Sequence, residues 1–303
     1  MSDIEIENNE YQHSSLAEII KFLWSKKILI SLVGFFTAVL FAAYSLTISN
    51  TYLSKAILSP AQDLSRIGSS SALNGLAGIA GINVPDGENI LYLEGIEILR
   101  SFKFFNDLLD EGELKKDILA VKSWNPNTNQ ITYKNDVYDS QNKKWVKKKK
   151  WKENQSEPSD QEAFKTFEKI FFANRDPKSD FVTVTFEHPS PIIAQKWLDI
   201  IIQKINDNVR NREVSKAEVS ITYLNEQLSR TTITEIKQVM SELVQNETQT
   251  VMLAKASPEF LYNIIEPPIV PETKFKPSRL LITIFGGFLG IFIVVVILLA
   301  RRY

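Results

Sequence analysis

Two long apolar runs without a charged residue lie near the ends of this chain, at residues 28–48 and 280–300. As an α-helix, each run rises about 30 Å, which is the thickness of the hydrocarbon core of a bilayer. The residues between the runs mix polar and apolar positions at much shorter intervals. We therefore predict two transmembrane helices that flank one large domain, residues 49–279.

Basic residues adjoin the outer end of each run, and they are Lys21, Lys26, Lys27, Arg301 and Arg302. Because lysine and arginine are retained on the cytoplasmic side of a membrane, both termini are predicted to be cytoplasmic. Residues 1–27 are expected to form a polar tail and an amphipathic lead-in, and residues 301–303 the other cytoplasmic end. A cleaved signal peptide is the alternative for the first run, but the leader is long and acidic and no small-x-small cleavage site follows Ile48.

Three short segments have the composition of β-strands, at residues 51–58, 181–187 and 260–265. The second segment alternates most regularly between apolar and polar residues, and Ser190 and Pro191 after it predict the N-cap and first residue of a helix. The first and third segments adjoin the two apolar runs. We therefore predict that they are neighbours in one membrane-proximal sheet.

Residues 192–257 contain neither glycine nor proline, which favours helix. The asparagine-rich residues 206–211 are a candidate break, and residues 213–256 are predicted to form one helix about 66 Å long. An apolar stripe follows this helix at steps of three and four: Ala217, Ile221, Leu224, Leu228, Thr232, Ile236, Val239 and Leu243. So narrow a stripe is typical of a seam between helices, so we predict a seam between copies of the chain.

Residues 89–109 predict a helix or helix pair over a core, and residues 131–151 predict a hairpin with Ile131, Tyr133 and Val137 on its first arm. The second arm is rich in lysine. One interpretation is an edge strand that lysines protect against pairing. The other is contact with an anionic sugar or a headgroup, for which the candidates are Trp145, Lys147, Lys149 and Trp151.

Glycines recur at every third position in a small-residue segment, at Gly75, Gly78 and Gly81. This segment lacks the lysine and the strand-to-helix context of a phosphate-binding loop. A flexible or closely packed loop is one interpretation, and a contact surface between subunits is the other.

Prolines and glycines mark the passage into the second apolar run. Because prolines lack an N–H and restrain the preceding residue, residues 267–279 are predicted to be an extended, semi-rigid strut. A Gly-x-x-x-Gly pair in the run is typical of close helix packing, against the first run or against another membrane protein. The residues predicted to couple the domain to the membrane or to a partner within it are Pro267, Pro268, Pro271, Pro277, Gly286 and Gly290.

The composition argues against several classes of function. The 35 basic and 36 acidic residues nearly balance, which is unlike a dedicated nucleic-acid binder. There is no cysteine, and the only histidines, His13 and His188, lie on opposite sides of the first apolar run. No Asp-x-Asp pair occurs. We therefore predict no catalytic residue, cofactor site or metal site, and a protein that is not an enzyme.

The predicted fold class is an α+β membrane protein with a mixed α/β base near the membrane and a long protruding helix. The base comprises residues 49–190 and 258–266, and the helical region residues 191–257.

The chain resembles the Wzz-type chain length determinants, which are polysaccharide co-polymerases without a kinase domain. The most specific match is at residues 253–271, which begin with Leu253-Ala-Lys-Ala256 and end in the proline run. Lys276-Pro-Ser-Arg279 at the final apolar run and residues 16–27 before the first one match as well. Residues 181–187, followed by Pro191, Ala194 and Trp197, also match the strand-to-helix step of this family.

The resemblance implies a homo-oligomeric ring in the inner membrane of a Gram-negative bacterium, with the main domain in the periplasm. It implies a regulator that sets the length of a surface polysaccharide, commonly O antigen of lipopolysaccharide, made by a separate membrane polymerase. The implied partners are further copies of the chain, that polymerase, lipid-linked polysaccharide and membrane lipid, with no nucleic acid. A periplasmic export adaptor or a two-pass receptor is the alternative function.

Overall fold

The computed structural model describes residues 16–61, 91–146 and 157–301, and for residues 16–19 the backbone alone. Contacts divide the chain into a terminal unit, Met1–Ser49 with Pro277–Tyr303, and a central unit, Asn50–Lys276.

In chain order the described elements are α1 (Leu16–Ser25), α2 (Lys27–Thr47), β1 (Tyr52–Pro60), α3 (Leu91–Arg100), α4 (Phe102–Leu109), α5 (Leu114–Ala120), β2 (Val121–Asn125), β3 (Gln130–Tyr133), β4 (Tyr138–Asp139), β5 (Lys144–Trp145), α6 (Asp160–Ile170), β6 (Phe171–Arg175), β7 (Val182–His188), α7 (Pro191–Arg230), α8 (Thr234–Ala256), β8 (Tyr262–Glu266) and α9 (Arg279–Ala300). The predicted fold class is confirmed as α+β, with an apolar helix toward each end and a long helix, α7.

In the terminal unit, α2 and α9 pack against each other. Both are long and apolar enough to cross a membrane, and their bounds agree within one residue with the runs predicted from sequence.

The central unit is built on a four-stranded antiparallel sheet in the order β6-β7-β1-β8. The prediction that residues 51–58 and 260–265 are neighbours is confirmed, because β1 pairs with β8. Burial alternates along most of β1 and over residues 182–186 of β7, since successive side chains of a strand point to opposite faces, whereas the last three residues of β7 are all buried. The buried face of β7 carries Val182, Val184 and Phe186, and the first half of α7 packs on the sheet.

The Ser190 hydroxyl caps α7 by accepting a hydrogen bond from the Ile193 N–H, and Pro191 opens the helix as predicted. The predicted helix pair at residues 89–109 is also present, as α3 and α4, and contributes to the same core. The predicted hairpin at residues 131–151 is partly wrong. Ile131 and Tyr133 pair with β2 instead, and Trp145 pairs with Tyr138 in a separate short hairpin.

The prediction of one helix over residues 213–256 is wrong. Helix α7 ends at Arg230, three residues follow without helical structure, and α8 packs back along α7. The break carries the β-branched residues Thr231, Thr232 and Ile233, whose restricted side chains lower helix propensity. Lys255 Nζ near the end of α8 lies 3.2 Å from Glu218 Oε1 of α7, which agrees with an antiparallel course of the two helices.

The candidate break at residues 206–211 is wrong for a different reason. Helix α7 continues through these residues, and Asn206 is almost fully buried inside it. Its Oδ1 accepts hydrogen bonds from the N–H groups of Leu261 and Tyr262, at 2.8 and 2.9 Å. Its Nδ2 donates to the carbonyl groups of Ile202 and Tyr262. This amide therefore fixes the start of β8 on α7.

We predict that Asn206→Leu lowers the free energy of unfolding by about 2–4 kcal/mol, because two buried backbone N–H groups lose their acceptor. The measurement is pulse proteolysis of the full chain in detergent across a urea series. The matched control is Asn211→Leu at an exposed position of the same helix, for which the expected change is within about 0.5 kcal/mol. Equal losses for the two variants would contradict this role for Asn206.

Candidate functional site

The segment that follows β8, residues 267–276, is attached to the central unit near both of its ends although it forms no regular element. The Ser54 hydroxyl donates to the Ile269 carbonyl at 2.9 Å, and Gln195 Nε2 donates to the Pro268 carbonyl at 3.3 Å. At its end, Lys276 forms an isolated antiparallel bridge with Thr51. A proline cannot donate a backbone hydrogen bond, and at Pro268 and Ile269 the carbonyl groups accept from side chains instead. At Phe275 and Lys276 the backbone N–H groups donate to the Thr51 carbonyl.

The end of this segment is also held by charge. Lys276 Nζ lies 2.8 and 2.9 Å from the two carboxylate oxygens of Glu187. Glu187 is buried on β7, whereas the lysine side chain remains more than half exposed. The ion pair therefore joins residue 276 to strand β7. This contact adds to the backbone bridge between Lys276 and Thr51.

A buried polar cluster lies directly behind this ion pair, at the corner between β7 and α7. The His188 Nδ1 accepts a hydrogen bond from the Ser190 N–H at 2.9 Å, and Nε2 lies 2.9 Å from the Asp117 carbonyl. These partners require the neutral tautomer with its proton on Nε2. The Asp117 carboxylate accepts a hydrogen bond from Trp197 Nε1 at 2.8 Å. These buried hydrogen bonds hold the turn between β7 and α7 in place, next to the glutamate that pairs with Lys276.

Burial lowers the pKa of His188 below its usual value of 6.5. The hydrogen bonds to the Asp117 and Ser190 backbones and the charge of Asp117 oppose this shift, and Lys134 adds to it. Folding therefore selects the neutral ring.

We predict that the free energy of unfolding falls as the pH drops below 6.5, because the unfolded chain binds a proton that the folded chain rejects. The contribution of His188 to the free energy of unfolding is fully present above the pKa of the unfolded chain. It decreases as the pH falls from that pKa toward the lower pKa of the folded chain, by up to about 1.4 kcal/mol per pH unit. His188→Gln should flatten the profile between pH 7.5 and 5 in urea titrations of the full chain. Parallel profiles for the variant and the original chain would contradict the prediction.

The predicted glycines of the second apolar run lie against the first run. A Cβ at Gly286 would overlap the Phe41 side chain, and a Cβ at Gly290 would overlap Thr37. On α2, a Cβ at Gly34 would in turn overlap the Ile291 side chain. Of the two partners left open by the sequence, the first apolar run is therefore the one that these glycines contact.

The stripe predicted as an oligomer seam is divided between α7 and α8, which pack together. Ala217 is fully buried, Ile236 is exposed, and the other five are partly buried: Ile221, Leu224, Leu228, Val239 and Leu243. Much of the stripe is thus covered within one chain, and its role between chains stays a prediction. Sequence periodicity missed a second set of apolar residues on these helices, Val219, Tyr223 and Met252, whose side chains are 61 to 71% exposed.

Of the four residues proposed for glycan contact, Trp145 alone lies in the described part of the chain. Its ring packs edge-on against Tyr138, beside a surface pocket that Lys116 and Lys143 also line. Lys147, Lys149 and Trp151 lie outside the described residues, as do Gly75, Gly78 and Gly81. Glycan contact at this arm stays a prediction.

Among residues 16–61, 91–146 and 157–301, no group of three or more His, Asp or Glu side chains is arranged to hold a metal ion.

Residues 13–111 match the model of a protein family described as Wzz, chain length determinant protein. No curated protein matches the chain. A solved structure described as a full-length bacterial polysaccharide co-polymerase is 15% identical, with 95% of this chain and 99% of that chain covered and a TM-score of 0.38. A fragment of WzzB, a polysaccharide co-polymerase from Salmonella Typhimurium, is 14% identical, with 75% and 100% covered and a TM-score of 0.35. The family match confirms the resemblance to chain length determinants predicted from the residues.

Proposed function

Because residues 13–111 match the chain length determinant family, we propose that this protein regulates the length of a surface polysaccharide without catalysing its synthesis. The polysaccharide is the O antigen of lipopolysaccharide, and the partner is a separate polymerase in the same membrane. The family match is the observation that carries this proposal. The two apolar helices support it, because a partner of a membrane polymerase has to reach the bilayer.

We place both apolar helices, α2 and α9, across the inner membrane of a Gram-negative bacterium. The basic residues outside each helix support cytoplasmic termini, and the central unit, Asn50–Lys276, then lies in the periplasm. Glycines 34, 286 and 290 support close packing of the two spans as one membrane anchor.

The proposed link to the polymerase is the segment with Pro267, Pro268, Pro271 and Pro277. Its attachments to Ser54, Gln195, Thr51 and Glu187 support a stiff connection, because a flexible tether has no need of them. A change in the arrangement of central units would then alter the positions of the spans beside the polymerase.

We further propose that the chain works as a homo-oligomer. The exposed apolar residues Val219, Tyr223 and Met252 support this, since such residues grouped on a helical pair are typical of contact surfaces. Exposed members of the stripe from Ala217 to Leu243, for example Ile236, contribute to the same contact surface.

We expect amine-reactive cross-linking of the full chain in native membranes to give a ladder of homo-oligomers. Val219→Asp should shorten this ladder, because it places a charge on the proposed contact surface. Asn225→Asp is the matched control, at an exposed polar position of α7, and should leave the ladder unchanged. A strictly monomeric chain would exclude the oligomeric mechanism.

Deletion of the protein should broaden the length distribution of the surface polysaccharide without abolishing the polymer. Gel profiles of lipopolysaccharide from deleted and complemented strains measure this. Total loss of polymer would indicate an enzyme or a transporter. Normal lengths with failed delivery to the surface would indicate the export adaptor.

A further inference from the structure

The segment that follows β8 leaves the sheet as a short loop. Ile269 is attached to Ser54 and Lys276 to Thr51, so six residues, 270 to 275, face only two residues of β1, 52 and 53. The surplus residues have to leave the sheet. We call residues 270–275 the membrane-side loop.

The apolar side chains at this loop are exposed. Ile269 is 60% exposed, Val270 43% and Phe275 46%. The polar residues of the loop, Glu272, Thr273 and Lys274, are exposed as well. In an aqueous setting such a group of apolar side chains costs free energy, so it marks a surface with a partner.

Chain length restricts what that partner is. Phe275 stands five residues before Leu280, the first apolar residue of α9 after Arg279, and is therefore at most about 18 Å from it. The Thr51 carbonyl accepts a hydrogen bond from the Phe275 N–H at 2.8 Å. Thr51 also stands three residues after Ile48, the last residue of the first apolar run, and is at most about 11 Å from it. Both limits hold for any arrangement of the two units.

We propose that the membrane-side loop lies on the surface of the bilayer, with Val270 and Phe275 inserted in the interfacial region and Lys274 at the headgroups. Apolar side chains next to a lysine, on a backbone fixed at both ends, suit this boundary, because the apolar groups leave water while the charge stays hydrated. The inference rests on the proposed placement of α2 and α9 across the membrane.

The test uses the absence of cysteine, which makes a single introduced cysteine a unique site for a nitroxide label. Labels are placed at Thr273→Cys in the loop, at Ser241→Cys on exposed α8, and at Leu289→Cys within α9, each in the full chain in lipid nanodiscs. Collision with oxygen and with a water-soluble nickel chelate is then measured. We expect nickel accessibility at residue 273 to be about threefold lower than at residue 241, as for an interfacial site.

Two further variants isolate the cause. Val270→Ser with Phe275→Ser should raise nickel accessibility at residue 273 to the level at residue 241. Ile265→Ser, which removes an exposed apolar side chain from β8 outside the loop, is the matched control and should change nothing.

Three other outcomes would each contradict one part of this inference. A water-accessible label at residue 289 would refute the placement of α9 in the membrane, and with it the basis of the inference. A lipid-embedded label at residue 289 with equal nickel accessibility at residues 273 and 241 would overturn the loop proposal alone. Spin–spin broadening at residue 273 that disappears on dilution with unlabelled chain would assign the loop to a second copy and also overturn it.

Discussion

The bridge between Thr51 and Lys276 joins the two places at which the chain passes between its central and terminal units. It is possible because strand β1 uses both of its edges, pairing with β7 on one side and with β8 and the following segment on the other. The Glu187 carboxylate adds an ion pair from the neighbouring strand. Consequently Thr51, four residues after α2, and Lys276, three residues before α9, are held together within the central unit.

Much of this arrangement could be predicted from the sequence, because its signals are local. The two apolar runs, the alternation at residues 181–187 and the cap at Ser190 all appear in the structure within a residue or two. The pairing of β1 with β8 was also predictable, since each strand adjoins an apolar run. The sequence did not predict the contacts that hold the proline segment, which come from Ser54, Gln195 and Glu187. These contacts join positions far apart in the chain and leave no periodic pattern.

The two errors in the helical region have opposite causes. At Asn206 a polar residue with low helix propensity is retained inside a helix, because its amide satisfies the backbone of residues 261 and 262. At residues 231–233 the chain turns without glycine or proline, and the signal was the run of β-branched residues. The apolar stripe was predicted as a seam between copies of the chain, whereas in the structure its residues are divided between two helices of one chain that pack together. Periodicity shows that an apolar stripe faces another helix but carries no signal for which chain supplies that helix.

We propose a coupling in which the attachment of residue 276 to the sheet transmits the arrangement of the central units to the membrane and so sets polysaccharide length. Its most direct test is the length profile of surface polysaccharide in strains with Glu187→Lys, Lys276→Glu, or both substitutions, at matched protein levels. We expect an altered length distribution for each single variant and recovery toward the original distribution when the two charges are exchanged. Unchanged profiles in the single variants, or a double variant no closer to the original than either single one, would contradict it.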